Sequence, residues 1–154
     1  MRVIDKAEIA RLIPHQGTMC LIERASHWDA DSIVCHADSH RLADNPLRQQ
    51  GRLGAACAIE YAAQAMALHG ALTAGFDTAP RAGFLTSVRD VTLAVATLDD
   101  VDTELLIEVE RLMGDENNVM YRFTVNAAQR LLASGRAAVR LDAARHLNEK
   151  GNKE

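Results

Sequence analysis

The chain has 154 residues, 48% of them hydrophobic and 25% charged, with a formal charge of −4. That length holds one domain with a sizeable core, and that composition excludes a disordered chain. The acidic balance, with no Lys/Arg run, lacks the footprint of a nucleic-acid binder, and polar residues interrupt every apolar run before it reaches membrane-spanning length.

The opening MRVIDKAEIARLIP is amphipathic and carries a charge every few residues, unlike a secretory signal. Within it, residues 5–13 predict a short helix with Asp5 near its start and Pro14 as its stop. PHQGT is a turn, and MCLIERASHW predicts a first strand. A second strand follows in SIVCHADSH, with Ile33, Cys35 and Ala37 on one face and Val34, His36 and Asp38 on the other. The polar RLADNPLRQQGR, with Asn-Pro as a turn signal, leads into the main helix.

That helix is LGAACAIEYAAQAMAL, residues 53–68, ending near Gly70 or Gly75. It is apolar almost all the way round, as a buried helix is. Glu60 and Gln64 stand one turn apart within it. A carboxyl among alanines should titrate high unless a cation such as Arg89 pairs with it. Gln64 suits an orienting or backbone-bonding role. His69 falls just past the predicted end and, with His27 and His146, is expected at the surface.

Residues 77–82 form a loop, and the pattern then changes to period two. GFLTSVRDVTLAVATL is a long bent strand closed by Asp99–Asp100. ELLIEVERL sets Leu105, Ile107 and Val109 against Glu104, Glu108 and Glu110. VMYRFTVN groups Val119, Tyr121, Phe123 and Val125, and LLASGRAAVRL groups Ala133, Gly135, Ala137 and Val139. The turns GDENN and NAAQR join these as antiparallel hairpins. Residues 142–154 lose the period and read as a polar tail after a single domain of residues 1–141. An α+β fold follows, with an antiparallel sheet of about six strands wrapped around a long central helix. A sheet that size leaves part of the helix bare, which calls for a second subunit.

Cys20, Cys35 and Cys57 are odd in number and show no paired spacing, so they are expected as small hydrophobes in a reducing, cytoplasmic setting. His36 and His40 would stand about 13 Å apart along a strand, at about 3.3 Å per residue, too far to share a metal. No metal and no cofactor are expected.

Several strings in this order resemble the hotdog-fold 3-hydroxyacyl-ACP dehydratases. Leu12-Ile13-Pro14-His15-Gln16-Gly17-Thr18-Met19-Cys20-Leu21-Ile22-Glu23-Arg24 is similar to the family's opening string. Glu60-Tyr61-Ala62-Ala63-Gln64 keeps the Glu and Gln spacing of its central helix. Leu85-Thr86-Ser87-Val88-Arg89-Asp90-Val91, running to Asp99-Asp100, is similar to the strand after that helix. The subfamily resembled most is the dehydratase-like one of bacterial aryl polyene and related polyketide-type lipid clusters. The resemblance covers roughly residues 8–141 and implies an acyl carrier protein bearing a phosphopantetheine-linked acyl chain as partner, at least a dimer, and a site at the subunit interface.

It further implies Glu60 as the acid, with backbone N–H groups near the helix start polarising the thioester. Ala63 and Ala67 would line the acyl slot. The family's base is a His in a Gly-His-Phe-Pro string, and Arg52 stands where that His is expected. His15 is the remaining imidazole for that task, although the family's His in this string is not the base, so an entrance or structural role is equally open. Arg48 and Arg52 could meet the phosphate or an acidic carrier protein. The Arg52 departure also admits a non-catalytic partner subunit of a dehydratase, and hotdog thioesterases, which use a helix carboxylate to activate water, supply a third reading.

Overall fold

The computed structural model describes residues 2–74, 83–115 and 117–141. A two-residue strand β1 (Ile4–Asp5) runs into helix α1 (Lys6–Leu12), capped where the Asp5 carboxylate accepts from the Glu8 amide. Strands β2 (Arg24–Trp28) and β3 (Ser32–Ala37) follow. After a 3-10 turn at Ala55–Cys57 comes helix α2 (Ala58–Ala74). Strands β4 (Gly83–Leu93), β5 (Leu105–Gly114), β6 (Asn118–Ala127) and β7 (Arg130–Leu141) complete one antiparallel sheet in the order β1-β2-β3-β5-β6-β7-β4.

The alternation read from the sequence matches the burial. Ile33, Cys35 and Ala37 of β3 face inward, with Leu105, Ile107 and Val109 of β5, Val119, Tyr121, Phe123 and Val125 of β6, and Ala133, Ala137 and Val139 of β7. The sheet curls over α2, whose Ala58, Tyr61, Ala62, Ala65, Leu68 and Leu72 fill its hollow. Gly135 gives the Phe123 ring its place, since a Cβ there would lie 2.9 Å from the ring edge.

The expected sheet of about six strands has seven, the added one being a two-residue β1 too short to show an alternation and defined only by pairing with Ala25 and Arg24 of β2. Three expectations are corrected. The first long strand starts at Arg24, not Met19: Gly17–Met19 is a 3-10 turn, and Leu21 and Ile22 are consecutive and both buried, which no half-buried strand allows. The second strand stops at Ala37, and His40 sits buried in the following 3-10 turn. Helix α2 runs through Gly70 to Ala74, so His69 lies inside it rather than at the surface. The predicted loop 77–82 and tail 142–154 lie outside the described residues. The bend in the fourth strand is real. After Leu93 the chain leaves the sheet, and Ala96 and Leu98 hydrogen-bond Ala55 and Leu53, so that segment carries the lead into α2.

His69 is fully buried, and its Nε2 donates to the Asp29 carbonyl at 2.9 Å. That leaves Nδ1 to accept from the Tyr121 hydroxyl at 3.0 Å, a bonding pattern that requires the neutral ring. Burial holds the pKa of His69 below its usual 6.5. The unfolded chain therefore takes up the proton first, so this residue's contribution to stability is present above pH 6.5 and is lost as the pH falls toward its folded value. Urea unfolding at pH 7 and pH 6 will show a loss of stability on acidification that is smaller in His69→Gln, while the variant costs about 1–3 kcal/mol at pH 7.

The β6–β7 hairpin turns on Ala128 (φ 49°) and Gln129 (φ 66°), both left-handed, where Asn-Gly is the preferred pair. Replacing them by Asn-Gly will raise stability by about 1–2 kcal/mol in the same assay.

Candidate functional site

Two side chains satisfy the backbone of the segment after α1, where no strand does. Gln64, buried in α2, accepts from the Leu21 amide through Oε1 at 2.9 Å and donates through Nε2 to the Met19 carbonyl at 2.7 Å. The Leu21 carbonyl accepts from the Ser39 hydroxyl at 2.8 Å. With its own hydrogen so engaged, Ser39 receives the Tyr61 hydroxyl hydrogen at 2.8 Å, and Tyr61 in turn accepts from Asn45 Nδ2. This buried relay locks residues 39–45 onto the helix, and nothing in the sequence pattern had singled it out.

Pinning Met19 and Leu21 carries His15 to the helix. His15 Nε2 lies 3.3 Å from Glu60 Oε1, and the second N–H of Gln64 donates to the same oxygen at 3.2 Å. The three sequence candidates His15, Glu60 and Gln64 thus form one cluster. The His15 side chain is 26% exposed and that of Glu60 34%, so the pair lies at the surface of the chain. His15 Nδ1 is buried and finds no hydrogen-bond partner among the described residues.

The expected rise in the Glu60 pKa does not occur. The pKa is lowered from 4.5, first by the His15 hydrogen bond and further by Gln64, which together outweigh burial. Its place in the first turn of α2 adds the helix dipole in the same sense. The residue beside Glu60 is therefore His15, a hydrogen-bond partner, whereas Arg89 is an exposed residue of β4. At neutral pH Glu60 is a carboxylate, able to take a proton rather than give one.

Arg52 is not joined to this cluster. Its Nε meets Asp99 Oδ2 at 2.9 Å and its terminal nitrogen reaches Thr97 Oγ1 at 3.3 Å, beside the bridge that holds the helix lead-in. Arg48 spends its guanidinium on the carbonyls of Leu42, Gly51 and His40 and so staples the 40–51 loop. At the helix start the amides of Leu53, Ala55 and Cys57 already donate to Asp99, Ala96 and Gly54.

Ala63 and Ala67 are half-buried and continue the stripe Ala56, Glu60, Ala63, Ala67 and Gly70 along the side of α2 that the sheet leaves uncovered. Among the described residues no group of three metal-ligating side chains occurs, and no helix is long and apolar enough to cross a membrane.

A family profile described as ApeP-like, ApeP dehydratase matches residues 7–147. A search of curated proteins finds no match. Among solved structures, the dehydratase heterocomplex ApeI:P from Xenorhabdus doucetiae superposes with a TM-score of 0.81 at 23% identity, over 94% of this chain and 97% of that one. AziG of S. sahachiroi gives 0.61 at 16% identity, over 85% and 98%. A thioesterase-like protein of Silicibacter gives 0.62 at 10% identity, over 90% and 92%. These likenesses establish the hotdog-type fold.

Replacing Gln64 by Leu strands the Leu21 amide and the Met19 carbonyl, which will cost about 2–6 kcal/mol in urea unfolding at about 1–3 kcal/mol per buried group. In Gln64→Ala the Glu60 pKa, followed by carboxyl NMR, will rise from its depressed value toward 4.5.

Proposed function

This chain belongs to the ApeP-like dehydratase family, and from that premise we propose that it dehydrates 3-hydroxyacyl thioesters on acyl carrier protein as part of a two-chain hotdog assembly. The observation that carries the reading is the 3.3 Å contact between His15 and an ionised Glu60. Elimination of water needs one group to remove the α-proton and another to protonate the departing hydroxyl. The carboxylate of Glu60 takes the α-proton, the Cα–Cβ double bond forms, and the Cβ–O bond breaks. Protonated His15 gives its Nε2 proton to the leaving oxygen, and water departs. The proton gained by Glu60 then crosses to His15 and restores the pair. This reverses the roles that the family resemblance implies. Gln64 is a positioning residue that fixes Glu60, and Ala63 and Ala67 border the acyl chain. Arg52, still exposed beyond Asp99, remains available to the phosphopantetheine phosphate.

Support for a second chain comes from two surfaces. Along the bare stripe of α2 the site lies open to solvent, and the edge strand β4 exposes Phe84, Leu85, Val91 and Leu93 beside unpaired backbone. A hydrophobic edge of that length in a monomer would aggregate, so β4 is where the partner's edge joins. The chain of the X. doucetiae heterocomplex has the same fold over nearly its whole length, and a dehydratase subunit is the partner proposed here.

The test is to purify the chain alone and with its partner, then offer 3-hydroxyacyl-carrier protein and follow enoyl product. Glu60→Gln and His15→Asn will each lower the rate by about 10²–10⁴-fold without loss of assembly. Hydrolysis of the thioester instead would make the protein a thioesterase. An unaltered rate in both variants of the assembled protein would assign the chemistry to the partner and leave this chain a stabilising subunit.

A further inference from the structure

A polar cluster on the outer face of the sheet takes no part in the His15–Glu60 chemistry. It is built on Glu104, the residue before β5, which Arg24 of β2 grips by reaching across β3. Arg24 Nη1 donates to Oε2 at 2.8 Å and Nη2 to Oε1 at 3.0 Å. That grip is the first cause of a lowered Glu104 pKa, so the group is a carboxylate and only accepts. His36 of β3, opposite Arg24 in the register, therefore donates to Oε1 from Nδ1 at 2.8 Å. In the neutral ring this leaves a lone pair on Nε2, and Ser26 Oγ lies 2.8 Å from it. The serine gives that nitrogen its one hydrogen, and its oxygen accepts from His27 Nδ1 at 3.1 Å. Hydroxyl, imidazole and carboxylate thus stand in the order of a nucleophile, its base and the group that orients the base.

A bulge puts the hydroxyl there. Ala25 pairs with Cys35 and His27 with Val34, so Ser26 is the extra residue of β2, turned onto the face that carries His36. Bulges re-aim side chains in this way beside active sites. Packing does not call for the arrangement. The Arg24 and Glu104 side chains are 39% and 33% exposed, where water would satisfy them. An exposed ion pair contributes about 0–1 kcal/mol, no more than the rotamer entropy it costs.

We propose that Ser26, His36 and Glu104 form a second site, which hydrolyses small uncharged carboxylic esters through an acyl-Ser26 intermediate. Ser26 Oγ bonds to the acyl carbon while its proton passes to His36 Nε2. The tetrahedral adduct then breaks its bond to the alcohol oxygen, and the alcohol leaves with that proton. Water attacks the acyl-serine, giving a proton to His36, which returns it to Oγ as the carboxylic acid departs. Glu104 stays ionised throughout as a positioning residue. The substrate class follows from the surroundings. Val34 and Leu106, half-buried on the same face as His36, offer an apolar seat of two side chains, enough for a short acyl group. Glu108 stands opposite Val34, and Arg24 is committed to Glu104, which disfavours an anionic substrate. The site lies on the face of the sheet away from α2 and does not rest on the dehydratase reading.

The experiment treats the full chain with a fluorophosphonate, which labels a base-activated serine, and follows hydrolysis of p-nitrophenyl acetate. Peptide mapping by mass spectrometry should place the adduct on Ser26. Ser26→Ala should abolish the adduct and the hydrolysis together. His36→Gln should slow labelling by about 100-fold or more, within the range that a positioned base supplies. Ser134→Ala, which removes another half-buried hydroxyl of the outer face, should label as the wild type does. The 15N shifts of the His36 ring should show its hydrogen on Nδ1, and Glu104→Ala should move it toward Nε2 and slow labelling in parallel. Ser26→Ala deletes one surface hydroxyl and keeps the test decisive if a His36 variant does not fold. An adduct absent from Ser26, label spread over several serines, or hydrolysis undiminished in Ser26→Ala overturns the proposal. Dehydration of 3-hydroxyacyl thioesters should be unchanged in Ser26→Ala, so either reading can fail without the other.

Discussion

One buried amide holds the working part of this molecule together. Gln64 uses both of its N–H groups and its oxygen: one donor and the acceptor on the backbone of Met19 and Leu21, the other donor on Glu60. Because the Leu21 N–H can only donate, the amide has a single orientation, and that orientation turns an N–H toward the carboxylate. The same group therefore closes the fold over the N-terminal segment and sets the protonation state of the site. Without it the 19–22 segment would expose unpaired backbone in the core, and His15, carried by that segment, would have no fixed place relative to the helix.

The ionised Glu60 follows from this arrangement. Burial alone would raise its pKa, and the alanine-rich helix around it suggests that outcome. Hydrogen bonds to the charged form and an imidazole at 3.3 Å act in the opposite sense and prevail. The helix thus presents a carboxylate at the margin of a core, along the one stripe that the curled sheet cannot reach. A seven-stranded sheet covers the stripe of α2 that holds Ala58, Ala62, Ala65 and His69, and stops at an edge, β4, that is itself hydrophobic. The bare stripe and the bare edge are the two surfaces at which the second chain is proposed to join.

Much of this was legible in the residues. The inward faces of β3, β5, β6 and β7 and the buried helix came from the periods 2 and 3.6, because those periods report which side of an element meets the core. The family strings placed Glu60, Gln64 and His15 as candidates. Less legible were features that depend on a partner distant in sequence. β1 exists only through its two pairings with β2, the Leu21–Ile22 stretch only through Gln64 and Ser39, and the burial of His69 only through Tyr121 and Asp29. That Asp99 engages Arg52 and three loop carbonyls engage Arg48 rests on bonds that no local pattern announces.

By itself the amino-acid sequence determined the fold class, the helix at its centre, the faces of most strands and the family, since each rests on short-range periodicity or on strings read in order. The tertiary structure alone decided that His15 reaches Glu60 across 45 residues of chain, that the carboxylate is ionised there, and that Ser26, His36 and Glu104 meet on one face of the sheet. Contacts of that kind depend on strand register and loop closure, which distribute over the whole chain, and so they appear only when the chain is folded.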